Sequence, residues 1–147
     1  MVVAALAGDT SAVVIAARRW LGTPYVHQAS VCGAGCDCLG LLRGVWRDLR
    51  GAEPASVPAY GPDWSETGGT EPLWQALERY LKPAAAPLEA GQVLLFRMRA
   101  GSVAKHLGIV SSVSVPRFIH AYSGHGVVES NLGPPWARRV VARFDLI

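Results

Sequence analysis

The sequence predicts an α+β fold, with N-terminal helices packed on a C-terminal antiparallel sheet of about five strands. Two observations carry this. Apolar residues recur at three-and-four spacing through three stretches of the first half, and after residue 90 the texture changes to short β-branched or aromatic runs separated by turn residues. The length, 147 residues with 50% apolar and 17% charged, fits one domain able to bury a core, with a helical part at about 10–82 and a sheet part at about 91–147.

The first helix is expected over 11–21, "SAVVIAARRWL", where Val13, Val14, Ala17, Trp20 and Leu21 share a face. Asp9 or Thr10 is the candidate cap and Gly22 the stop. "GTPYVHQ" then carries the punctuation of a turn into an extended segment. From Cys38 to Leu49, residues Leu41, Leu42, Val45, Trp46 and Leu49 line one face behind Asp37 as N-cap, which makes this the central helix. Residues 51–70, rich in Pro and Gly, read as a long surface loop, and "EPLWQALERYL" as a short helix with Pro72 in its first turn. Strands are expected in "VLLFRM", "AKHLGIVSSV", "RFIHAY", "GVVES" and "RRVVARFDLI", running as a meander. No internal repeat or low-complexity tract interrupts the pattern.

Several function classes are disfavoured. No apolar run reaches the roughly 18 residues that cross a bilayer. The opening "MVVAALAG" has neither a basic n-region nor a full-length h-region, so no secretory leader is expected; the chain would be made in the cytoplasm and delivered outward by something else. The net charge of +3 is modest, and its arginines come in scattered pairs without interleaved aromatics, which favours a solvated surface over a nucleic-acid partner. Three cysteines crowded into 32–38 cannot build a disulfide framework. A Cys₃His zinc site from Cys32, Cys36, Cys38 and a histidine is weighed against the C-x₃-C-x-C spacing, which lacks the distant second ligand pair, and no metal or other cofactor is expected.

The chemistry centres on Cys38. A thiol at a helix N-terminus gains from unpaired N–H groups and the helix dipole, which lower its pKa toward neutrality. Asp37 opposes this unless its carboxylate turns to the backbone as a cap, the role expected of it. A thiolate nucleophile needs an imidazole, and His106 and His120, on consecutive predicted strands, can stand side by side so that one orients the other. The residues alone leave the alternative open that Cys38 is a small buried hydrophobe and each histidine an ordinary hydrogen-bonded residue. Cys32 and Cys36 read as loop or core residues, His125 as exposed in a turn, and His27 as a site-lining candidate without a role.

"LGTPYVHQ", "DCLGL", "GQVLLF", "KHLGIV" and "FIHA", in that order and spanning about Val13 to Glu129, resemble the NlpC-type papain-like cysteine peptidases that cut bacterial cell-wall peptides. The resemblance implies a circularly permuted papain-like fold and hydrolysis of the amide between D-γ-glutamate and a diamino acid in peptidoglycan stems. It also implies Cys38 as nucleophile, His106 as base and His120 as third polar member. Tyr25 matches the tyrosine that shapes the site; with Asp37 it is assigned to substrate binding. One residue departs: the serine of "DCSGL" is here Leu39. The wording "HQASVCGAGCDCLGLLRGVWR" is similar to the branch found in tailed phages and gene transfer agents, which implies tail or baseplate partners and action in the periplasm or on the wall. The rival readings are a related Cys-His amidase that cuts the sugar-to-peptide linkage, and an inert tail-structure or wall-binding module.

Overall fold

A computed structural model describes residues 11–54, 70–85 and 87–146. Helix α1, Ala12–Arg18, starts at Ser11, whose Oγ accepts the Val14 N–H at 3.2 Å and so satisfies one of the donors a helix start leaves unpaired. The cap is therefore Ser11, while Asp9 and Thr10 lie outside the described residues. Val13, Val14, Ala16 and Ala17 are buried, but Leu21 is 41% exposed because the helix has ended before it.

The central helix α2, Cys38–Arg50, has Asp37 as its N-cap and ends at Gly51, where φ of 82° suits a residue without a Cβ. It buries Leu41, Leu42 and Val45 against the sheet and Gly44 against α1. The ring of Trp20, 2% exposed, lies where a Cβ on residue 44 would stand. Gly44→Ala is therefore expected to lower stability by about 1–3 kcal/mol, overpacking outweighing the improved helix propensity; urea unfolding of the two proteins measures it.

Between α1 and α2 a two-residue hairpin, β1 (Ser30–Val31) and β2 (Gly35–Cys36), folds onto α2. Arg47 donates to both the carbonyl and the hydroxyl of Ser30, at 2.7 and 2.9 Å, and the Ser30 hydroxyl donates to the Gly40 carbonyl at 2.6 Å. The loop in front of Cys38 is thereby tied to the helix that Cys38 begins. Helix α3 is Pro72–Tyr80, with Pro in the first turn as expected; the loop expected over 51–70 falls mostly on residues 55–69, outside the described part.

Among the described residues the main sheet has six strands, all antiparallel, in the order β3 (Lys82–Pro83), β8 (Val140–Asp145), β4 (Val93–Phe96), β5 (His106–Ser112), β6 (Arg117–Tyr122), β7 (Gly126–Asn131). The meander β4 to β7 is the one expected. β8 then returns to the far side of β4 after a single-turn helix, α4 (Pro134–Ala137). The strand beyond the expected five is β3, two residues at the sheet edge, where proline's missing N–H removes no ladder bond.

Alternation along the strands separates two apolar layers. Val93, Leu95, Leu107, Ile109, Ile119, Ala121, Val127 and Phe144 pack with the helices. Leu94, Phe96, Val110 and Phe118 form a second cluster with Leu132, joined by Trp136. No described helix is long and apolar enough to cross a membrane.

Candidate active site

The N-terminus of α2 meets the first residue of β5 at one end of the sheet, and a cleft of about 370 Å³ opens there, lined by Tyr25, His27, Asp37, Cys38, Leu39 and His106 among others. Cys38 is the first residue of α2 and His106 the first of β5. The loop before β5 is held by Glu71, whose two carboxylate oxygens accept the Ala104 N–H at 2.8 Å and the Arg97 guanidinium at 2.9 Å. The Lys105 carbonyl that follows accepts the Cys38 S–H at 3.5 Å.

Asp37 caps as expected. Its Oδ1 accepts the Gly40 N–H and its Oδ2 the Gln28 N–H, both at 2.7 Å. Gln28 adopts the left-handed backbone conformation, φ 66°, which a non-glycine residue rarely does and which aims its N–H at the carboxylate. Glycine is required at position 40, because a Cβ there would overlap the Ala29 carbonyl that packs over the first turn.

The helix start does not make Cys38 a resting thiolate. Burial pushes the thiol up to about 12, the Asp37 charge adds to the rise, and the N–H groups of Leu107, Leu39 and Cys38 that favour the anion do not offset them. The expected lowering is thus overturned by desolvation: a thiolate keeps the benefit of the dipole only while enough water remains around it. Tyr25, which lines the cleft and bridges to Cys36, is likewise raised to about 12, first by burial and then by the charges of Cys38, Asp37 and Cys36.

His106 and His120 come together as expected. His106 Nε2 and His120 Nδ1 are 2.8 Å apart, and His120 Nε2 lies 2.9 Å from the Ser130 hydroxyl on β7. Both rings sit on the aromatic layer, His106 with its centroid 5.5 Å from Phe96 and 5.7 Å from Trp136, and His120 at 4.2 Å from Phe118 and 5.3 Å from Tyr122. Desolvation there disfavours the charged rings, lowering His106 to about 3 with help from His120, and His120 to about 4 with help from His125. At neutral pH the cleft therefore holds a thiol and a neutral imidazole pair.

His27 lines the cleft, its Nδ1 3.7 Å from Asp37 Oδ2. His125 is exposed and stacks on Tyr122 at 5.0 Å. Cys32 is exposed and donates to the Arg19 carbonyl, and Cys36 is buried in the core. Sequence reasoning missed Ser130, Lys105 and Tyr122. Only strand register could have found Ser130, which lies opposite Phe118 and so on the side of the sheet that His120 faces.

Among solved structures, a Staphylococcus aureus protein described as similar to a lipoprotein of the NLP/P60 family superposes over 95% of this chain, with a TM-score of 0.61 and 20% identity. An NlpC/P60 family protein from Bacillus cereus covers 90% of it, with the same TM-score of 0.61 and 16% identity. The chain has the NlpC/P60 fold. The expected papain-like α+β architecture is thereby the observed one, with the helices preceding the strands of an antiparallel sheet. The chain spans about two fifths of each of these proteins, 41% and 39%. No protein-family model matches the sequence, and no curated protein matches it.

Proposed function

We propose that this chain is a cysteine peptidase of the NlpC/P60 kind, hydrolysing an amide bond in the peptide stems of bacterial cell wall. The observation that carries the reading is the convergence on one cleft of a helix-start cysteine and an imidazole whose far nitrogen is already engaged by a second imidazole. The two solved structures of the same fold support it by their family.

In this reading Cys38 Sγ attacks the amide carbonyl while His106 Nδ1, the ring nitrogen not engaged by His120, takes the thiol proton. Because both groups are neutral at rest, proton transfer accompanies formation of the S–C bond. Backbone N–H groups at the start of α2 stabilise the oxyanion. His106 then protonates the departing amine, and water deprotonated by His106 releases the acyl group and restores the thiol. Tyr25 and Leu39 bound the substrate side of the cleft, and Leu39 gives it an apolar wall in place of a hydroxyl.

The reading extends to the D-γ-glutamyl-diamino acid bond as the one cleaved, and to a phage-tail or gene-transfer-agent particle as the carrier that brings the enzyme to the wall. Digestion of purified muropeptides followed by mass analysis tests the chemistry. The expected product retains sugar, L-alanine and D-glutamate on one fragment. Release of the intact stem from the sugar would make the chain an amidase instead, and no new fragment at all would leave it a wall-binding or structural module.

A further inference from the structure

His120 is 0% exposed, and its ring nitrogens have, as their hydrogen-bond partners among the described residues, His106 on one side and Ser130 on the other. Packed against it are the rings of Phe118, Tyr122 and Trp136, with centroids at 4.2, 5.3 and 5.0 Å, and among the described residues none of these three accepts a hydrogen bond from it. A neutral imidazole carries one proton, so a row of two imidazoles and one hydroxyl has two possible orders of protons. In one, His106 Nε2–H donates to His120 Nδ1, and His120 Nε2–H donates to Ser130 Oγ; His106 Nδ1 is then bare and able to receive a proton. In the other, every donor is reversed and His106 Nδ1 already carries a proton, so it cannot act as a base.

We propose that Ser130 is a positioning residue that sets this order, by accepting the His120 Nε2–H and so leaving His106 Nδ1 bare toward the cleft. The assignment rests on the acyl-transfer reading for its purpose, but the proton order itself can be read without activity. Two features favour the productive order. Ser130 is only partly buried, so its own hydroxyl proton can be given to solvent, while the buried His120 Nε2 has no such outlet. Once His106 is protonated during the reaction its Nε2 must donate, which forces His120 Nε2 to donate as well and makes Ser130 the acceptor at the end of the row. Without the hydroxyl, the productive order would strand an N–H among aromatic rings, whereas the reversed order strands only a lone pair, so the balance shifts to the reversed form.

The test combines nitrogen NMR of the histidine rings with hydrolysis of muropeptides, in the wild-type protein, Ser130→Ala and Ser130→Thr. The expected wild-type spectrum at neutral pH shows His106 and His120 both protonated at Nε2 and bare at Nδ1. Ser130→Ala should move protons to Nδ1 and lower kcat by about 10- to 100-fold, the loss set by one buried hydrogen bond, with KM nearly unchanged. Ser130→Thr, which keeps the hydroxyl on a β-branched residue suited to a strand, should restore both. Wild-type rings protonated at Nδ1, or an alanine variant with unaltered ring protons, would overturn the proposal. A wild-type protein with the expected ring protons that alanine disturbs, yet no hydrolysis, would uphold the proton order and overturn the peptidase reading.

Discussion

Cys38→Ser should lower muropeptide hydrolysis by roughly 10⁴-fold or more, the scale seen when a nucleophile is removed from a group of residues that act together. The fold should remain, with a thermal midpoint within a few degrees of the wild type. The sulfur donates one long hydrogen bond, 3.5 Å to the Lys105 carbonyl, and a serine hydroxyl can donate to the same oxygen. What serine cannot do is yield its proton at the same cost. Burial already holds the Cys38 thiol near 12, and an alcohol in that place would hold its proton far more tightly against an imidazole near 3. Melting curves and product analysis on the two proteins check both halves. Equal rates would remove Cys38 from the chemistry, and a collapsed fold would mean that the thiol serves packing.

The parts legible in the sequence were those that depend on local pattern. Asp37 announces the start of α2 because a short polar side chain before an amphipathic run can satisfy the first unpaired N–H groups, and it does so at Gly40. His106 and His120 could be expected side by side because two short apolar runs joined by a turn pair as neighbouring strands. Which nitrogens face each other was not legible, since ring orientation depends not only on Phe118, two residues before His120 on the same strand, but on Phe96 of β4 and Trp136 of α4, which reach the pair from elsewhere in the chain. Ser130 gave no signal for the same reason: a serine on a strand has meaning only once the register sets it beside His120. The Cys38 thiol shows the sharpest difference. Its helix position is local and points to a lowered pKa, whereas the burial that outweighs the helix depends on tertiary packing, with Val93 of β4 and Leu107 and Ile109 of β5 brought beside it from far along the chain.

Acid should unfold the protein, and the histidine pair should start the process before any carboxylate takes part. The rings have a reference value of 6.5 and fall in the folded protein to about 3 for His106 and about 4 for His120. Above pH 6.5 they are neutral whether the chain is folded or not, so they contribute no pH dependence. Below it the unfolded chain binds protons that the folded chain refuses, and the free energy of unfolding falls as pH drops toward the folded values. Each tenfold difference in proton affinity between the folded and unfolded chain is worth about 1.4 kcal/mol, so the pair can remove several kcal/mol from a domain whose total is of the order of 5–15 kcal/mol. Glu53, Glu71 and Glu129 are held below the usual carboxylate value of 4.5 in the folded state, so the stability they contribute is present above that value and is lost only at more acid pH. The window from 6.5 to 5 thus isolates the histidines. Urea unfolding midpoints should decline across it in the wild type and decline less in His120→Gln, which removes one titrating ring while keeping an amide able to bond within the row. Equal slopes in the two proteins would mean that the pair is charged, or solvated, in the folded state. A neutral base beside a neutral thiol would then be the wrong starting point for the reaction, because a charged His106 has no lone pair with which to receive the Cys38 proton.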